Sequence, residues 1–207
     1  MYKLLASVFR FLCRVFFRLK VVGRENIPEG GPLLVVFNHT AALDVVLLAV
    51  LPFEIVGFGA YAHRSNIFLR IGKALGHLIF VRRGEVDRGA LRSAQAVLDS
   101  GRVLLISPEG TRTDGTLKKA KPGAAYLASR AGGVPLLPVG ILRCNRALGE
   151  LLRLRRPEIT IIVGEVFTLD FPSDSPVKMV MLREATHTQI MPRIAELLPK
   201  WMRGDYA

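Results

Sequence analysis

Six short apolar runs, at 33–37, 54–59, 78–81, 103–106, 136–141 and 159–166, recur through this chain, separated for the most part by stretches of helical character near 42–50, 66–75, 87–100 and 122–131. A last helical stretch covers 177–198. Runs this short and this uniformly apolar suit strands buried on both faces. Strand and helix taking turns predict an α/β fold: a single domain with a mostly parallel central sheet flanked by helices. The 207 residues can bury one sizeable core, and neither an internal repeat nor a low-complexity linker divides them. FPSDSP, at 171–176, reads as a loop before the last helix.

Charge limits the partners. A net charge of +12, from 29 Lys and Arg against 17 Asp and Glu, draws the surface toward polyanions, either nucleic acid or an anionic membrane face. Half of the residues are hydrophobic and the mean hydropathy is +0.33, which argues against intrinsic disorder. The two cysteines, Cys13 and Cys144, form no CxxC pair, so no disulfide framework or zinc knuckle is expected and a reducing, cytoplasmic setting fits.

The first nineteen residues, MYKLLASVFRFLCRVFFRL, decide between the two polyanions. On a helix, Lys3, Ser7, Arg10, Arg14 and Arg18 fall in one polar stripe, and large apolar side chains cover the rest. Cations spread along the segment argue against a spanning helix, and no small-residue cleavage site marks a signal peptide. A basic helix lying in the plane of an anionic bilayer fits, as does a helix packed on the core with a basic outer face. Large apolar residues have little use beside a phosphate backbone, and no nucleic-acid fold signature is present, so no nucleic-acid partner is expected. The expected organisation is an amphipathic membrane-association helix and lead-in at 1–22, then the main domain at 23–207, in a peripheral or monotopic protein on the cytoplasmic face of the cell membrane.

Ligands of such sheets gather at the carboxyl ends of the strands, and two polar signals sit there. In VVFNHTAALD, 35–44, an apolar strand runs into His39, with Asp44 five residues on. Five residues along a regular helix separate two side chains by about 140°. They meet only if His39 stands in the turn before the helix and Asp44 near its start. Asp44 then accepts the Nδ1 proton and leaves Nε2 as a base. In ISPEGTRTDGT, 106–116, a second strand ends in Glu109, Gly110, Thr111 and Arg112; Arg112 could grip a phosphate, and Glu109 could hold that arginine or a substrate hydroxyl.

These blocks resemble the glycerolipid acyltransferases of the 1-acylglycerol-3-phosphate acyltransferase family. His39 to Asp44 matches its HxxxxD motif, IFVRRG (79–84) its second block, PEGTR (108–112) its third and VPLLPVGI (134–141) its fourth. The chain departs from the pattern at Ser107, where phenylalanine is common, and at Thr113, where serine is usual. The second-block arginine is Arg82 if counted from Gly76, or Arg83 if aligned through Ile79 and Phe80.

The resemblance implies an acyltransferase domain at 23–207 that moves an acyl group from acyl-CoA or acyl-carrier protein to the free hydroxyl of 1-acylglycerol 3-phosphate, giving phosphatidic acid. Glycerol 3-phosphate or another lysophospholipid is the alternative acceptor. It implies His39 as the base and Asp44 as its partner. Arg82, Arg83 and Arg112 would hold the acceptor phosphate, with Glu109, Gly110 and Thr111 shaping that site. No cofactor and no metal are expected, since HExxH and clustered Cys/His ligands are absent, and no G-x-S-x-G elbow offers a covalent nucleophile.

Overall fold

The computed structural model describes residues 2–207 except 83, 85, 131 and 172–175. Among them run the strands β1 (Arg18–Val22), β2 (Leu33–Phe37), β3 (Ile55–Ala60), β4 (Leu78–Val81), β5 (Val103–Ile106), β6 (Leu136–Leu142) and β7 (Glu158–Val163). They form a seven-stranded sheet of order β1-β7-β6-β2-β5-β3-β4. β6, β2, β5, β3 and β4 are mutually parallel; β7 runs antiparallel to β6 and carries β1 parallel to itself at the edge. The mostly parallel α/β sheet is therefore as the alternating pattern predicts.

The helices are α1 (Tyr2–Phe16), α2 (Leu43–Leu48), α3 (Ile67–Ala74), α4 (Arg88–Asp99), α5 (Gly123–Arg130), α6 (Cys144–Leu152), α7 (Met179–Ala185) and α8 (Met191–Glu196). Every residue of β2 is buried because helices cover both its faces. Leu33, Val35 and Phe37 pack with α1, α2 and α6, whereas Leu34 and Val36 pack with α4, α5, α7 and α8. Each such fully buried side chain contributes ~1.5–3 kcal/mol of transfer free energy. The core thus pins the strand that ends at the site. Local chemistry sets some boundaries directly: Asp87 accepts the N–H of Ala90 at 3.0 Å and so caps the start of α4.

Four departures from the expected elements have physical causes. The N-terminal helix stops at Phe16, because RLKVV alternates polar and apolar residues and forms edge strand β1. Helix α6 lies in a stretch for which the sequence suggested no element; Cys144, Ala147 and Leu151 face the core at helical spacing. β7 ends at Val163, since the next partner, Pro138, accepts the Gly164 N–H at 2.9 Å but has none to return. The last helix is broken: Pro192 removes one donor, Thr186 and Thr188 bond back to carbonyls of the preceding turn, and Met191 reaches Thr186 five residues back in a π turn.

Helix α1 does more than one thing. Cys13 is buried in the core and Phe9 packs against it, yet Val8, Phe11, Leu12, Val15 and Phe16 remain exposed. No described helix is long and apolar enough to cross a membrane.

Candidate active site

β2 and β5 lie side by side and end together, which brings the turn after Phe37 against the turn after Ile106. Asn38, 2% exposed, fixes the first turn: its Nδ2 donates to Ile141 O at 2.9 Å and its Oδ1 accepts the Ile141 N–H at 2.7 Å. The side-chain amide thus stands in for one more pair of the β2–β6 ladder. His39 follows, its ring edge-on to Phe37 with centroids 5.8 Å apart.

Asp44 stands in the first turn of α2 and is wholly buried. Its Oδ2 lies 3.0 Å from His39 Nδ1 and accepts the N–H groups of Thr40 at 2.6 Å and Ala41 at 2.7 Å. The two main-chain donors hold the carboxylate in place independently of the histidine. A carboxylate can only accept, so Nδ1 carries the proton, and Nε2 takes no hydrogen bond among the described residues. Oδ1 of Asp44 has no well-formed hydrogen bond, and Cys144 lies beside the carboxylate. Burial first, then the Asp44 charge, push that thiol far up, so it stays protonated there.

Glu109 is 3% exposed and both its oxygens serve main chain: Oε2 accepts the His39 N–H and Oε1 the Lys118 N–H, each at 3.0 Å. Thr113 N–H donates to His39 O at 2.8 Å. The loop after β5 therefore grips the backbone of His39 from both sides. Burial raises the carboxyl of Glu109 above its usual range, and the two N–H donors oppose that shift. Gly110 has φ of 68°, and its Cβ position would lie 3.2 Å from Lys121 Cδ, so a larger residue would be strained and crowded.

Thr111 and Arg112 are exposed beyond this clamp, and Arg112 has no hydrogen bond or ion pair among the described residues. Glu109 is turned to main chain and does not hold its guanidinium. Arg82 follows β4, three strands from β2, or roughly 14 Å at ~4.8 Å per strand. Its N–H donates to Asp87 Oδ2, and its guanidinium lies 5.3 Å from the centroid of the Tyr61 ring. Arg83 lies outside the described residues. A cleft of about 600 Å³ beside Arg82 is walled by Tyr61, Lys73, Phe80 and Ser93. The roles of Asn38, Thr113 and Cys144 were not read from the sequence; the first had a detectable signal, a buried-strand terminus ending in an amide.

An imidazole at a strand end of an α/β sheet, engaged by a buried carboxylate through one nitrogen and unpartnered at the other, has the geometry that a general base requires. The chain belongs to the acyltransferase family, whose model matches residues 18–142. A 1-acyl-sn-glycerol-3-phosphate acyltransferase of Chlamydomonas reinhardtii is 32% identical over 162 residues, covering 72% of this chain and 46% of that protein. The protein of the same name from Bacillus subtilis (strain 168) is 26% identical over 92% of this chain and 95% of its own length. In fold, the chain is similar to the 1-acyl-sn-glycerophosphate acyltransferase of Thermotoga maritima, with a TM-score of 0.70 at 22% identity over 94% of this chain and 80% of that one.

Proposed function

We propose that this protein is an O-acyltransferase that moves a fatty acyl group from acyl-CoA or acyl-carrier protein to the free hydroxyl of 1-acylglycerol 3-phosphate, giving phosphatidic acid. The observation that carries the reading is the 3.0 Å approach of His39 Nδ1 to Asp44 Oδ2, with Nε2 left open. Nε2 takes the proton of the acceptor hydroxyl as its oxygen attacks the thioester carbonyl carbon. Asp44 stabilises the imidazolium that forms. Collapse of the tetrahedral adduct breaks the C–S bond, and the imidazolium returns the proton to the leaving thiolate. Atoms balance with no acyl-enzyme.

Arg112, exposed beside the clamp, binds the acceptor phosphate, Arg82 supplies positive charge from the β4 side, and Arg83 is the further candidate the second block offers. The exposed apolar side chains of α1, on a chain of net charge +12, support a peripheral position on an anionic membrane, where this acceptor resides. The names of the relatives support the acceptor assignment. The test is transfer from labelled acyl-CoA and acyl-carrier protein, in detergent, to a panel holding 1-acylglycerol 3-phosphate, glycerol 3-phosphate and other lysophospholipids. Preferred product from the first supports the reading; preferred product from another acceptor moves the substrate.

A further inference from the structure

The end of α6 and the turn into β7, LLRLRRP at 151–157, break two rules of soluble surfaces. Leu148, Leu152 and Leu154 are 60%, 79% and 97% exposed. Leu154 also has φ of 57°, the left-handed region in which a bulky side chain is a genuine outlier and glycine or asparagine is the usual occupant. A turn shaped only for solubility would carry neither the leucine nor the strain. Arg153 and Arg155 alternate with Leu152 and Leu154, the pattern of a segment that sinks apolar side chains while cations meet phosphates.

The turn is tied to α1. Arg156 Nη2 donates to Arg14 O at 2.6 Å and to Phe17 O at 3.2 Å, and the Arg18 N–H donates to Pro157 O at 2.9 Å. A cleft of about 400 Å³ between the two elements is walled by Arg14, Arg18, Lys20 and Arg156 against the single carboxylate of Glu158. Arg156 therefore ties the turn to the end of α1, and the cationic cleft lies at that junction.

We propose that the α6–β7 turn is a second lipid-contacting element, which inserts Leu152 and Leu154 into the same anionic bilayer leaflet that α1 lies on and seats an anionic headgroup in the cleft between them. The proposal rests on the membrane setting given above and adds a site to it. Apolar side chains standing free in solvent beside α1 favour a bilayer over an acidic carrier protein, for which the arginines alone would serve.

The chain has one tryptophan, Trp201, so the full-length Trp201→Phe protein can report a single new indole. With Leu154→Trp added, vesicles of phosphatidylcholine and phosphatidylglycerol with brominated acyl chains are expected to quench the emission and shift it to the blue, as for a Phe11→Trp control. Leu154→Gly relieves the backbone and is expected to keep or raise Tm while sedimenting less with these vesicles. Arg153→Glu with Arg155→Glu removes two surface cations and is expected to weaken partition by roughly thirtyfold or more at low salt. An unquenched indole at 154 beside a quenched one at 11, absence of vesicle binding, or occupation of the patch by acyl-carrier protein without lipid quenching would each overturn the proposal. Acyl transfer in detergent, measured on the same proteins, tests the reaction separately and does not depend on the position of residue 154.

Discussion

Glu109 accepts the main-chain N–H of His39 at 3.0 Å, so the carboxylate of the PEGTR block holds the backbone of the histidine 70 residues earlier. The same loop returns the Thr113 N–H to the His39 carbonyl. Two motifs far apart in the chain are therefore one structural unit. Asp44 orients the ring of His39, and the β5 loop orients its backbone.

Glu109→Gln replaces an acceptor-only group with one that also carries a donor, setting it against either the His39 or the Lys118 N–H. The expected loss is about 1–3 kcal/mol, that of an unsatisfied buried group, read by chemical denaturation at neutral pH. Because the folded carboxyl lies above its unfolded value, its contribution to stability is fully present below the unfolded value and is lost as pH rises through the folded one. Wild type is therefore expected to lose stability across the interval just above ordinary glutamate titration, and Glu109→Gln to lack that slope. An identical slope in both proteins contradicts the assignment.

Asp44→Asn keeps the shape and removes the charge that stabilises the imidazolium. Turnover is expected to fall by about 10²-fold or more while the fold persists, with activity and circular dichroism measured on the same sample. Asp44→Ala leaves the Thr40 and Ala41 donors without an acceptor and is expected to cost a further ~1–3 kcal/mol of stability.

Asn38→Ala strips both partners from the main chain of Ile141. A loss of about 2 kcal/mol or more in thermal or denaturant unfolding is expected, since two buried main-chain groups lose their partners. Asn38→Asp at neutral pH keeps the acceptor but loses the donor and sets a desolvated carboxylate against the Ile141 carbonyl, and is expected to cost at least as much as alanine.

Arg112→Ala is expected to raise KM for 1-acylglycerol 3-phosphate by roughly ten- to a hundredfold, the worth of a charge-assisted contact, with Tm unchanged because the side chain is exposed. Neutral 1-acylglycerol should show no such rise. Arg82→Ala should have the smaller effect, since β4 stands three strands from β2.

Much of this was legible in the chain. The runs at 33–37 and 103–106 coincide with β2 and β5, because strands buried on both faces leave uninterrupted apolar sequence, and the run at 78–81 coincides with β4, a half-buried edge strand. The meeting of His39 and Asp44 follows from their spacing, which permits contact only across a turn. Edge strand β1 was hidden because one exposed face gives it the alternation of RLKVV, next to a helix whose charged stripe extends to Arg18. Helix α6 was hidden because only Cys144, Ala147 and Leu151 turn to the core, too short a stripe to stand out. Glu109 was read as a ligand-binding carboxylate, since sequence shows an acidic group in a glycine turn and gives no sign of which main-chain donors it will meet. An amide closing a buried strand marks Asn38 locally, but its partner Ile141, like the Asp44 neighbour of Cys144, lies some hundred residues away and leaves no local pattern.

The most direct test of the account is the turnover of His39→Ala against wild type with 1-acylglycerol 3-phosphate and a labelled acyl thioester in detergent, with unfolding curves recorded on both proteins. A loss of at least about 10²-fold with unfolding little changed is the predicted result. Undiminished transfer by a well-folded His39→Ala protein would contradict the general-base mechanism and with it the central role given to the His39–Asp44 pair.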